Sequence, residues 1–186
     1  MALTSLINDL SRKSLTPSFP PHITLLSSIP SSAPLSEVLS KVSTAISTFR
    51  ASHPSSSLQL PLSAPGTRGS YFQYVFSAVE PTPELLALRK ATSAAFFPEL
   101  EGKGDDYFPH LSLVYGQDRG ERSATGIILD LVMGGEAKCV PLEAEGEEQR
   151  EKWTFRDVDE VDVTEIKVVK CDGLPEEWKV LGSVPL

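Results

Sequence analysis

One short text occurs twice in this 186-residue chain. Pro21-His22-Ile23-Thr24-Leu25-Leu26 returns as Pro109-His110-Leu111-Ser112-Leu113-Val114, identical or similar in kind at every position. In an extended strand, successive side chains alternate faces with a period of two. Each histidine therefore shares a face with the hydroxyl residue two places on, while Ile23 with Leu25, and Leu111 with Leu113, turn toward the core. The copies start close to half a chain length apart and each is followed by a candidate helix. That arrangement predicts one domain over residues 1–186, made of two related lobes that face one another with their imidazoles converging in a central cleft. The length suffices to bury a real core.

The rest of the pattern fits two such lobes. Pro17, Pro20 and Pro21 punctuate a loop, and Ile23 to Ile29 reads as a short apolar strand stopped by Pro30. From Ser36 to Phe49, Val38, Leu39, Val42, Ala45, Ile46 and Phe49 recur at helical spacing and make one apolar stripe. Leu58, Leu60 and Leu62 alternate within a strand from Ser55 to Ser63, and Gly66 and Gly69 open a turn. Tyr71 to Val79 has the aromatic and branched content of a strand, with Phe72, Tyr74 and Phe76 on one face. Pro81 and Pro83 stop it and start a helix to about Phe97, and Pro98 to Asp106 is a loop. Leu111 to Tyr115 is a strand, Gly120 to Met133 a helix ended by Gly134 and Gly135, Trp153 to Phe155 a strand and Val161 to Val169 a late strand. The helices are too few for a doubly wound parallel sheet. The expected fold is α+β and bilobal, with two antiparallel sheets related by a pseudo-twofold, each backed by helices.

Composition excludes several function classes. Seventeen basic against 25 acidic residues give a net charge of −8, which opposes sequence-independent binding of long nucleic acid, where clustered Lys and Arg must replace counterions. No apolar run approaches the roughly 20 residues of a membrane span, and the N-terminus lacks the basic-then-apolar layout of a secretory signal. A cytoplasmic, monomeric protein without a membrane partner is expected. Cys139 and Cys171 are far apart and form no ligand cluster with histidine, so neither zinc nor a disulfide framework is indicated. The run Glu143, Glu145, Glu147, Glu148 and Glu151 reads as a solvated loop.

The chemistry that suits the repeat is cleavage of a phosphodiester. In-line displacement needs one proton removed from the attacking water and another delivered to the leaving oxygen on the opposite side. Two imidazoles titrating near neutral pH can do both, which makes His22 and His110 the candidate general acid and base with their order open. The hydroxyls of Thr24 and Ser112 are candidate donors to the non-bridging oxygens. No metal or other cofactor is called for. A single histidine beside a proline is more often structural than catalytic, but strand packing does not demand histidine plus a hydroxyl at the same offset twice. His53 in Ser52-His53-Pro54-Ser55 lacks that context and reads as a solvated loop residue.

His-Ile-Thr-Leu at 22–25 and His-Leu-Ser-Leu at 110–113 resemble the paired motifs of the two-histidine phosphoesterase superfamily. The flanks Tyr71-Phe72-Gln73-Tyr74-Val75-Phe76, Glu80-Pro81-Thr82-Pro83-Glu84-Leu85 and Tyr115, with Trp178 and the closing Val184-Pro185-Leu186, are similar to its 2′,3′-cyclic nucleotide phosphodiesterase branch of plants and fungi. The resemblance spans nearly the whole chain. It implies a bilobal fold and opening of 2′,3′-cyclic nucleotides to 2′-phosphates and of ADP-ribose 1″,2″-cyclic phosphate to the 1″-phosphate, steps tied to tRNA splicing by-products. His22 and His110 carry over as catalytic, Thr24 and Ser112 as phosphate-binding, and Phe72 and Tyr115 as the aromatic pair around the base. Stacking on aromatic rings tolerates different bases and suits a small cyclic nucleotide as partner. The cysteines depart from the plant-type pattern, which favours a fungal type without structural disulfides. The stretch Glu136 to Lys152 is longer than in a minimal member and reads as a loop insertion.

Two other functions compete. An RNA end-processing phosphodiesterase or ligase-like member of the superfamily would use the same histidines, but an isoelectric point near 4.9 weighs against an oligonucleotide substrate. A module that binds a nucleotide without chemistry would not need both histidines intact.

Overall fold

The structure is a computed structural model that describes residues 1–54, 58–100, 106–118, 123–141 and 151–186. The order of elements is α1 (Ala2–Ser14), α2 (Leu35–Ser52), β1 (Leu58–Gly66), β2 (Val75–Val79), α3 (Pro83–Phe96), β3 (His110–Val114), α4 (Ala124–Met133), β4 (Ala137–Pro141), β5 (Glu151–Phe155), β6 (Glu160–Val163), β7 (Glu165–Lys170) and β8 (Lys179–Pro185). The fold is α+β, as the sequence predicts. One sheet runs β3-β2-β1-β6, and β4-β5 and β7-β8 are two-stranded. Every pairing with a resolved register is antiparallel.

The chain divides into two compact units that do not follow its two halves. The first comprises residues 1–23, 61–80 and 109–161, the second residues 24–60, 81–108 and 162–186. Both histidines of the repeat belong to the first unit and Thr24 to the second.

The first unit is built on β2 and β3, which are buried almost end to end. A strand covered on both faces needs apolar residues at consecutive positions and loses its alternation, which accounts for Tyr74, Val75, Phe76 and Ser77 all being buried. α1 packs on β3 through Leu6, Ile7 and Leu10, one face of a helix at three- and four-residue spacing. Leu15 closes α1 in the left-handed conformation. α4 lies on β2 and β4, with Ile127 and Leu131 buried and its N-terminus capped by the Ser123 side chain, which accepts from the Gly126 N–H. Gly134 and Gly135, at φ 72° in the latter, end it. A side-chain network ties α1 to the β5–β6 turn: Arg156 donates to both carboxylate oxygens of Glu136 at 2.6 and 3.0 Å, to Asp9 at 2.7 Å and to Ser5.

In the second unit α2 packs against α3 and against the β7-β8 hairpin. The α2 stripe Val38, Val42, Ala45, Ile46 and Phe49 is buried as its periodicity predicts. Gly182 makes room for it, since a β-carbon there would stand 3.1 Å from Leu39. Thr82 caps α3 by accepting the Leu85 N–H, with Pro83 in the first turn.

Several expectations are corrected. Ile23 to Ile29 is not a strand: Ile23 forms a single bridge, and Ser28, at φ 66°, breaks the extended path. Tyr71–Gln73 is a 3₁₀ turn, so the strand starts only at Val75 and the aromatic face proposed for Phe72, Tyr74 and Phe76 does not form. Val161 to Val169 divides at Thr164 into β6 and β7. Part of Glu136 to Lys152 is paired strand, Ala137 to Pro141 against Glu151 to Phe155. Residues 142–150, which include Glu143, Glu145, Glu147 and Glu148, lie outside the described residues, as do 55–57, most of the 98–106 loop and the first turn expected of α4. The helix α1 and the strands β4 and β8 were not expected at all.

Candidate active site

Chain chemistry on both sides positions His22. Pro20 and Pro21 fix the approach, and the next residue, Ile23, forms an antiparallel bridge with Leu111 of β3. The bridge is isolated and joins the residue after His22 to the residue after His110. His110 is the first residue of β3, paired with Ala78, and the Phe76 ring meets its imidazole edge-on at 5.4 Å.

The His22 ring is held at both nitrogens. Nδ1 lies 2.8 Å from the Pro20 carbonyl, and a carbonyl can only accept, so Nδ1 carries a proton. Nε2 lies 2.9 Å from the Tyr115 hydroxyl. In neutral His22 the Nε2 lone pair accepts from that hydroxyl. Phe19 contacts the imidazole edge-on at 5.8 Å and stacks on Tyr115 at 4.1 Å. Burial lowers the His22 pKa below its usual 6.5 and repulsion from His110 lowers it further, while the Pro20 carbonyl works the other way by favouring the protonated ring. His22 is thus biased toward the neutral imidazole, and the two histidines sense each other electrostatically.

Ser112 is buried on the same strand as His110, and its hydroxyl donates to the Phe72 carbonyl at 3.2 Å. Phe72 itself is 54% exposed and stands edge-on to Tyr115 at 5.3 Å. Tyr115 is 3% exposed, with Phe19 stacked on it and Tyr71 nearly parallel at 6.1 Å. Thr24, in the second unit, is exposed. Its backbone is clamped: Tyr107 donates to the Thr24 carbonyl at 3.2 Å and Arg89 to the Leu25 carbonyl at 2.6 Å, with the guanidinium 4.9 Å over the Tyr107 ring.

His53 caps the C-terminus of α2 and stacks on Phe49 at 4.9 Å. Cys139 and Cys171 are free thiols. Among the described residues no cluster of three or more His, Cys, Asp or Glu side chains could hold a metal ion, and no helix is long and apolar enough to cross a membrane.

The residues that sequence reasoning passed over are those that orient the motifs: Phe19, Pro20, Arg89 and Tyr107. A signal for two of them was present. Phe19-Pro20-Pro21-His22 and Phe108-Pro109-His110 both place an aromatic and proline before the histidine, so the repeat begins earlier than the six residues that first mark it.

A family model described as cyclic phosphodiesterase-like protein matches residues 1–186. No curated protein matches the chain.

Proposed function

The chain belongs to the cyclic phosphodiesterase-like family, and on that premise we propose that it hydrolyses 2′,3′-cyclic nucleotides to nucleoside 2′-phosphates, and ADP-ribose 1″,2″-cyclic phosphate to the 1″-phosphate, with His22 and His110 as the acid–base pair. The observation that carries the reading is the Ile23–Leu111 bridge, which makes neighbours of two histidine motifs half a chain apart.

Water attacks phosphorus in line with the 3′-oxygen. One imidazole takes a proton from the water while the other, protonated, gives one to the departing oxygen. The new P–O bond forms as the P–O3′ bond breaks, and the proton count of the pair is unchanged over the step with the two roles exchanged. In the free protein burial biases His22 toward the neutral form. Thr24 and Ser112 donate to the non-bridging oxygens; for Ser112 this means turning its hydroxyl from the Phe72 carbonyl. Phe72 offers the exposed ring against which the base packs. The reading includes a place among steps associated with tRNA splicing by-products, and the pair works without a metal.

The test is product analysis. Incubation with 2′,3′-cyclic AMP in the presence of EDTA should give 2′-AMP alone. Formation of 3′-AMP, or hydrolysis only when Mg²⁺ or Zn²⁺ is restored, would overturn the reading.

A further inference from the structure

An acid–base imidazole needs an orienting partner on the nitrogen away from the substrate, and His22 has one in the Pro20 carbonyl at 2.8 Å. The structure adds a second contact, at the nitrogen that must exchange the proton. The Tyr115 hydroxyl sits 2.9 Å from Nε2. With Nδ1–H already given to a carbonyl, the neutral ring has only a lone pair at Nε2, so the phenol is the donor. Its position is not incidental: Tyr115 directly follows β3, its ring is buried, and Phe19 stacks on it at 4.1 Å while also touching the imidazole.

We propose that Tyr115 is a positioning residue that acts through His22: its hydroxyl holds the neutral imidazole in the Nδ1–H form with Nε2 aimed at the phosphodiester, and yields that nitrogen to the reacting oxygen when substrate binds. The inference rests on His22 being catalytic. A hydrogen bond donated to Nε2 stabilises the neutral ring and opposes its protonation. Its loss frees the ring to rotate and makes it easier to protonate. The same residue read as a base-stacking ring would act through its face, which Tyr115→Phe preserves.

The experiment combines Tyr115→Phe with His22→Ala, on 2′,3′-cyclic AMP and on ribose 2,3-cyclic phosphate, which lacks a base. In Tyr115→Phe, kcat should fall about tenfold on both substrates with KM little changed, the worth of one hydrogen bond. The His22 titration, followed by NMR of its ring protons, should move up, though burial and His110 still hold it below its ordinary value. In the wild-type protein, ring ¹⁵N shifts should show the Nδ1–H tautomer, a readout that needs no variant to fold. A wild-type rate with an unmoved His22 titration overturns the inference, as does an Nε2–H tautomer. A loss confined to KM and to the substrate with a base overturns it too, by assigning the hydroxyl to the base and not to His22. Full activity in His22→Ala defeats the catalytic reading and this inference together. An inactive His22→Ala beside an unaffected Tyr115→Phe defeats only the role of Tyr115.

Discussion

Ile23 and Leu111 face one another across an antiparallel bridge. Both are the apolar residue after the histidine in their motif, so the bridge is a contact between equivalent positions of the repeat. It ties the two copies together at one residue each, next to His22 on one side and next to His110 on the other.

Removing either histidine should remove most turnover. Loss of a general acid or base costs about 10²–10⁴-fold, and because the two act as a unit, His22→Ala with His110→Ala should be little worse than either alone. Single-turnover rates on 2′,3′-cyclic AMP, with circular dichroism to check folding, measure this. Additive losses would show two independent contributions instead of a pair.

The clamp on Thr24 gives a second expectation. Tyr107 holds the Thr24 carbonyl and Arg89 the Leu25 carbonyl, in a segment that lies outside any helix or strand. Arg89→Met keeps the length of the side chain and deletes its donors, so the Thr24 hydroxyl should lose its place with the helix α3 intact. Small displacements at a reacting centre cost up to about 10²-fold. The kcat/KM of Arg89→Met should drop within that range at an unchanged melting temperature, and a loss matched by unfolding would point to a structural role.

For Phe72 the effect should depend on the substrate. A ring this exposed adds little to stability, whereas stacking of a base is worth about 1–3 kcal/mol. Phe72→Ala should raise KM for 2′,3′-cyclic nucleotides by roughly 5- to 150-fold and leave ribose 2,3-cyclic phosphate unaffected. Equal losses on both substrates would remove Phe72 from base recognition.

The two histidine motifs were legible because repetition exposes them, and the Ile23–Leu111 bridge joins the two copies. The sequence revealed α2 and α3 because each carries a long period and an end signal, the stripe from Val38 to Phe49 and the Thr82-Pro83 start. It failed where tertiary contact overrides local pattern. The segment after His22 is apolar enough for a strand but has a partner for one residue only. Tyr71–Gln73 has strand-like residues in a 3₁₀ turn whose Phe72 carbonyl accepts from Ser112. The orienting atoms of His22 were invisible for a different reason: one is a backbone carbonyl, which every residue has, and the other is a hydroxyl 93 positions away.

Arg156 should set the acid stability of the first unit. Its guanidinium holds the Glu136 and Asp9 carboxyls below their usual values of 4.5 and 3.8. Carboxylates depressed in the folded state contribute stability that is present above those values and is lost as pH falls through the lower, folded ones. Arg156→Ala should therefore lower the melting temperature by a few degrees near pH 7, and the gap to wild type should close below about pH 4. Arg156→Lys should restore only part of it, since an ammonium cannot span both oxygens of Glu136. A gap that does not change with pH would assign Arg156 to packing and not to charge.

His22 gives the last expectation, because its pKa is lowered in the free protein, by burial first and by repulsion from His110 as well. Unfolded, the ring titrates near 6.5; folded, lower. Between those two values the unfolded chain binds more protons, so stability rises with pH across that window. It is fully present above about 6.5 and is lost as pH falls through the folded pKa. Urea unfolding from about pH 5 to 8 should show this slope in the wild type and a smaller one in His22→Asn. The same ring should place a limb of the kcat/KM profile below 6.5, as the free enzyme's property. His110→Ala removes the repulsion, so the His22 titration should rise. A His22 midpoint that stays in place when His110 is removed would mean that the two rings do not feel each other, and a shared phosphodiester would then have no place between them.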